Sequence, residues 1–138
     1  MKKTGSFLLS FIILFLVSCS SKTVPPLGGG YQSEVLAEYV VQMGIQPDDK
    51  TFVEYINNRE VDRGTYEEKS DNVYLFKGER QEFEITLSPE DSFTITIPQI
   101  NEKEPIELKN ISKIPSYSST EYDDVEEYKK LLQENEEE

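Results

Sequence analysis

Gln-Glu-Phe-Glu-Ile-Thr-Leu-Ser-Pro-Glu-Asp-Ser-Phe-Thr-Ile-Thr-Ile, residues Gln81 to Ile97, carries the clearest period in the chain. Phe83, Ile85 and Leu87 alternate with Glu84, Thr86 and Ser88, and Phe93, Ile95 and Ile97 alternate with Thr94 and Thr96. A period of two places alternate side chains on opposite faces of an extended strand. Between the two runs lies Ser88-Pro89-Glu90-Asp91, where proline at the second position presets φ for a type I turn in a four-residue hairpin loop. The segment therefore predicts a hairpin with three apolar side chains per strand on its core face. Thr86, Thr94 and Thr96 form the solvent row on the other.

Outward from this hairpin the same reading finds further strands. Thr51 to Ile56 follows the turn Gln46-Pro47-Asp48-Asp49, and Val61 begins another strand across Asn57-Asn58. Asp62-Arg63-Gly64-Thr65 and Ser70-Asp71-Asn72 read as breaks, and Val73 to Lys77 is a compact apolar run ended by Gly78. Ile106 to Ile111 predicts an edge strand, with Pro105 at its mouth. On the amino-terminal side, Val35, Leu36, Tyr39, Val40 and Met43 share one helical face, with Ser33 as N-cap and Gly44 just past the end. The fold expected is α+β: a short N-terminal helix packed on an antiparallel meander of five or six strands, with a small barrel as its curled form.

Composition bounds the organisation. The 138 residues carry 27 acidic and 14 basic side chains, a net charge of −13, and the balance repels nucleic acid and anionic lipid alike. Residues 19–30 are rich in Ser, Pro and Gly and read as a flexible tether, residues 31–114 as one small domain, and residues 115–138 as an acidic tail, partly helical or disordered. From Glu121 to Glu138 there are nine acids and two lysines, yet Tyr122, Val125, Tyr128, Leu131 and Leu132 keep partial helical spacing. With Tyr117 they are apolar residues without an obvious place in the domain. They are the expected contact element for a partner.

Lys2 and Lys3 precede a run from Phe7 to Val17 that is apolar except for Ser10, too short to span roughly 30 Å of hydrocarbon comfortably. It ends in Leu16-Val17-Ser18-Cys19, which holds the only cysteine. Residues 1–18 read as a signal peptide, but Leu16 is too large for an ordinary A-x-A-like cleavage site. The four residues resemble the lipobox of bacterial lipoproteins. The resemblance implies an S-diacylglyceryl group on the Cys19 thiol, cleavage between Ser18 and Cys19, and N-acylation of the new terminus. Two or three acyl chains hold durably where one is marginal, at about 0.8 kcal/mol per buried methylene. It also implies a protein held at the extracytoplasmic face of the cell membrane through covalent lipid, or at an outer membrane in a Gram-negative host. Loss of Met1 to Ser18 removes two lysines and no acid, leaving the mature chain more acidic still.

The chain contains no histidine, which removes Ser-His-Asp and Cys-His catalysis and the usual zinc ligands together. The adjacent acids Asp48-Asp49, Glu90-Asp91 and Asp123-Asp124 lack the glycine and terminal glutamate of a calcium loop, and Gly28-Gly29-Gly30 precedes no phosphate-binding lysine. No catalytic residue, metal site or cofactor is expected. The function predicted is non-enzymatic: a membrane-anchored, extracytoplasmic lipoprotein that binds a protein or envelope partner and no nucleic acid. Two alternatives stand beside it, a small hydrophobic-ligand carrier with a cavity inside a curled sheet, and a leader whose Ile12 to Ser18 segment is released as a signalling peptide.

Overall fold

The structure, a computed structural model, describes residues 23–115, 117, 118 and 120–133. Eight antiparallel strands form one sheet: β1 (Gly29–Gln32), β2 (Val41–Gln46), β3 (Thr51–Ile56), β4 (Arg59–Ser70), β5 (Val73–Gly78), β6 (Glu82–Thr86), β7 (Ser92–Ile95) and β8 (Ile106–Ser112). Their spatial order is β6-β5-β4-β3-β2-β1-β8-β7, so every strand pairs with its sequence neighbours except across β6 and β7, and β8 returns to pair with β1. The result is an up-and-down barrel, closed everywhere except between β6 and β7. Two short helices complete the described chain, α1 (Pro98–Asn101) and α2 (Val125–Lys129), the second running into a 3-10 turn over Lys130–Leu132.

Inward alternation fills the barrel. Val41, Met43 and Ile45 of β2, Phe52 and Ile56 of β3, Phe93 and Ile95 of β7 and Ile106 and Leu108 of β8 are all buried. Phe76 of β5 is the hub of an aromatic stack, lying parallel to Tyr66 at 5.2 Å and to Phe83 at 5.3 Å, with Phe52 edge-on at 4.9 Å. Such pairs contribute about 0.5–1.5 kcal/mol each beyond the area they bury.

Several sequence expectations change here. No helix spans residues 34–43: Ser33 to Val40 is a loop, Ala37 and Glu38 take positive φ between the bridged pair Leu36 and Tyr39, and Val41 starts β2. Ser33 is no helix cap; its backbone N–H donates to Val41 O at 2.9 Å and its hydroxyl accepts from Val41 N at 2.9 Å. Pairing of β2 with both β1 and β3 outweighs an apolar spacing that fits a helix and a strand equally. The architecture is mostly β, with eight strands in place of five or six. Ile106–Ser112 has a neighbour on each side and is no edge. Asp62-Arg63-Gly64-Thr65 does not break the chain either, because β4 runs straight through it for 12 residues. Gly64 is needed there, since a Cβ would stand 1.9 Å from Lys77 O on the neighbouring strand.

The segment from Gln81 to Ile97 keeps its inside and outside but not its pairing. Ile85, Leu87, Phe93, Ile95 and Ile97 are buried and Thr86, Thr94 and Thr96 exposed, as the alternation predicts. The turn forms, with Ser88 N donating to Ser92 O at 2.9 Å. Beyond it the strands part, β6 pairing with β5 and β7 with β8.

Both ends of the barrel are covered by chain that the sequence assigns to tether and tail. At one end Leu27 is buried, Val24 packs on the core, and Gly29 and Gly30 already belong to β1. There the Tyr31 hydroxyl donates to Asp91 Oδ1 at 2.7 Å and Lys113 Nζ donates to Asp91 Oδ2 at 2.7 Å, tying the β6–β7 turn to β1 and to the end of β8. Burial first, and then the bond to Asp91, push the Tyr31 phenol pKa up. At the other end Leu132 inserts with 3% of its surface exposed, and Tyr128 and Leu131 pack beside it. Truncation of a buried leucine typically costs 2–5 kcal/mol. Leu132→Ala is expected to lower the unfolding free energy by about 2–4 kcal/mol in urea titration, whereas a fully solvated tail would give no change.

Candidate binding groove at the barrel seam

At the end of the open seam away from the β6–β7 turn lies a groove of about 930 Å³. One lip is residues 79–83, the other runs from Ile95 to Gln99, and Leu132 and Gln133 lie at its base. Phe83 points inward onto Phe76 but stays half-buried, because the open seam uncovers its flank. The carboxyl-terminal turn bridges the two lips: Gln81 Nε2 donates to Leu132 O at 3.3 Å, and Gln99 Nε2 donates to Lys130 O at 2.9 Å and to Gln133 O at 2.6 Å. The tail therefore acts as a spacer that fixes the separation of the strand ends.

One buried acid supports the first lip from inside the barrel, and a second stands beside it. Asp62 Oδ1 accepts from Arg63 N at 2.9 Å and Arg80 N at 3.0 Å, while Oδ2 accepts from Gln81 N at 3.1 Å. This carboxylate ties the loop before β6 to β4, and Gly78 leaves room for it, since a Cβ there would meet Asp62 Oδ2 at 2.3 Å. In register with Asp62 on β3 stands Glu54, with Met43 on its other side. Glu54 is fully buried and neither carboxyl oxygen has a hydrogen-bond partner. Desolvation, with the neighbouring Asp62 charge adding to it, pushes its pKa from 4.5 to about 8.

The tail reaches the groove through a latch on the barrel wall. Arg59 donates to both oxygens of Asp124 at 2.9 Å, and its guanidinium lies 3.9 Å from the Tyr122 ring centroid and 4.7 Å from that of Tyr128. The pair with Asp124 raises the pKa of Arg59 and lowers that of Asp124. Tyr128 in turn meets Tyr39 edge-on at 6.1 Å and accepts from Asn57 Nδ2 at 3.3 Å.

Comparison with family models, curated proteins and solved structures finds no match. Of the residues expected to contact a partner, Leu132 is buried, Tyr122, Val125, Tyr128 and Leu131 are half-buried on the chain's own barrel, and Tyr117 is exposed. Ile111 and Ile114 are exposed near it in sequence, at 63% and 75%. Leu16, Val17, Ser18 and Cys19 lie outside the described residues, as does the Ile12 to Ser18 leader segment. Among the described residues no helix is long and apolar enough to cross a membrane, and no group of three or more potential metal ligands gathers.

Sequence reasoning misses Glu54, Asp62, Arg59, Gln81 and Gln99. Asp62 and Arg59 carried no signal, one lying in an apparent turn and the other beside Asn57-Asn58. Glu54 carried one: it shares the phase of Phe52 and Ile56.

Its raised pKa has a definite sign. Between about pH 4.5 and pH 8 the folded chain holds a proton on Glu54 that the unfolded chain has released, so this residue makes stability fall as pH rises through that window. The full span is on the order of 4 kcal/mol. Glu54→Gln is expected to remove the dependence, so that its stability relative to the parent grows by about 1 kcal/mol per pH unit from pH 5 to 8. Urea titrations at three pH values measure it. Parallel curves for the two proteins would place the Glu54 carboxyl in water.

Proposed function

We propose that this chain is a lipid-anchored, extracytoplasmic binding protein without enzymatic activity, and that its partner docks in the seam groove. The anchor rests on the lipobox resemblance at Leu16-Val17-Ser18-Cys19. The observation that carries the docking is that a nearly closed barrel stops one ladder short of closure, leaving two sheet edges around a groove with Phe83 and Ile95 in its walls. Strand edges without a ladder partner are an interaction surface that natural proteins otherwise cover or blunt, and here the half-buried Phe83 lies beside them. Four residues, Ser20 to Thr23, separate Cys19 from Val24, which packs on the barrel core, so a lipid anchor at Cys19 would hold the barrel close to the membrane.

The packed interior favours this reading over a hydrophobic-ligand carrier. Tyr31, Phe52, Phe76, Met43, Ile45 and Ile56 occupy the space that a ligand inside the barrel would need. Exposed Ile111 and Tyr117, which line one shallow cleft, give a partner a second apolar surface on the outside of the barrel.

A photo-crosslinking side chain at Glu82 or Thr96, on the lips, is expected to trap one discrete species on intact cells. The same group at Glu67, on β4, is expected to trap none. Crosslinks at Glu67 and the lips alike, or at neither lip, would remove the groove from the proposal. Cys19→Ser is expected to shift the protein from the membrane fraction to the medium or to a misprocessed precursor, with an unchanged circular dichroism spectrum. Retention of the variant in the membrane would contradict the lipid anchor.

A further inference from the structure

We propose that the barrel stands on the lipid surface by the end that carries Val24 and Leu27, and holds the seam groove at its far end, open to a partner that arrives from the side away from the membrane. This rests on the reading of Cys19 as a lipid anchor and adds to it which face of the barrel meets the lipid. The first argument is length. Five peptide links join Cys19 to Val24, and an extended chain gains at most about 3.6 Å per residue, so a diacylglyceryl group on Cys19 holds Val24 within about 18 Å of the headgroups. From Val24 onward there is no slack. Val24 packs on the core, Leu27 is buried, Gly28 N donates to the Tyr31 hydroxyl at 3.3 Å, and Gly28 O accepts from Asn110 Nδ2 at 3.2 Å.

The second argument is topology. Successive strands of an up-and-down barrel reverse, so the loops fall alternately at its two ends. Beside Leu27 lie residues 47–50, 71–72, 87–91 and 113–115. Their contacts agree: a Cβ on Gly28 would meet Pro47 Cγ at 2.7 Å, Leu87 N donates to Asn72 O at 2.9 Å, and Asp91 is held by Tyr31 and Lys113. Residues 33–40, 57–58, 79–81 and 96–105 lie at the other end, with Leu132, Gln133 and the groove. A six-residue strand such as β3 spans about 20 Å. A barrel standing on the Leu27 end therefore lifts the groove by that distance from the lipid-facing loops.

Surface chemistry turns the same end toward the lipid. Ile114 is 75% exposed there, and Pro26, Pro47 and Pro89 are exposed beside it. The loops at this end hold five acids and two lysines, and one of the acids, Asp91, is paired with Lys113. The loops at the far end and residues 121–133 hold ten acids and four basic side chains, and four of the five residues after Gln133 are glutamate. Anionic headgroups repel the second end more strongly and so turn it outward.

The test uses the lipidated full chain, reconstituted into vesicles of phosphatidylcholine and phosphatidylglycerol. The Cys19 thiol is consumed by lipid, so one added cysteine at a time carries a fluorophore: Asp71→Cys or Ile114→Cys at the near end, Glu79→Cys or Glu104→Cys at the far end, all at exposed positions. Quenching by a nitroxide on the lipid headgroup is expected to be several-fold stronger at residues 71 and 114 than at 79 and 104. Equal quenching at the two ends would mean a barrel that lies on its side or turns freely, and would overturn the orientation, as would the reverse order. Insertion of about twelve Gly and Ser residues between Ser21 and Lys22 adds about 20 Å of average reach and is expected to lower quenching at the near end toward that at the far end. Unchanged quenching after the insertion would overturn the short connection as the cause. Flotation separates these results from the anchor itself: a chain that floats with the vesicles but shows no difference between its ends keeps the anchor and loses the orientation, whereas one that carries no lipid and stays below the vesicles loses both.

Discussion

Antiparallel pairing of β1 with β8 is the contact on which the rest of the architecture depends. Gly30 faces Ser112, Tyr31 faces Asn110 and Gln32 faces Lys109, so the first strand of the described chain is joined to the last. Without it the sheet would be a six-stranded meander from β1 to β6 and a separate hairpin of β7 and β8. Neither half could enclose Phe76, Phe93 and Leu108 in one core. Closure at β1–β8 leaves the remaining discontinuity between β6 and β7, and the groove follows from it. The clamp of Tyr31 and Lys113 on Asp91 then ties the turn of the open seam to the two strands that close the ring.

Glu54 sets a second constraint, of opposite sign. An unpartnered carboxyl inside a barrel opposes folding, and it is held there by neighbours rather than by its own contacts. Phe52 and Ile56 face inward on β3, so the strand period carries Glu54 inward with them. Asp62, its neighbour across the ladder, is fully engaged with the loop before β6. The two acids thus divide their roles: one organises a lip of the groove, and the other keeps a proton beside it.

How much of this was legible in the sequence depends on which physical signal each feature left. Period two announces that Phe83, Ile85, Phe93 and Ile95 share an interior, but it does not say which strand lies next to which, and the nearest partner in sequence was not the partner in space. The stretch from Val35 to Met43 satisfied helical spacing, while Val41, Met43 and Ile45 satisfied strand spacing over the same ground; a single sequence has no means of arbitrating when pairing with distant strands decides. On β3 both faces are apolar, because Tyr55 on the outside lies under the crossing tail, where Ser118 N donates to its hydroxyl at 3.3 Å. The phase that Glu54 shares with Phe52 and Ile56 was legible, but which face of the strand is the inner one was therefore not. The tail was legible as amphipathic, but its target was not: an apolar stripe says that something covers it, and here part of the cover is the chain's own barrel.

The joining of the first strand to the last also orders events in time. As the polypeptide is made from its amino terminus, β1 must wait for more than 70 further residues before its second neighbour exists, and Leu132 arrives later still. No early portion has a finished core to collapse onto. The hairpins from β1 to β6 join sequence neighbours, whereas closure of the ring waits for one ladder distant in sequence, the kind that forms slowly. Until β8 has been made, the ring that β1 begins stays open on that side.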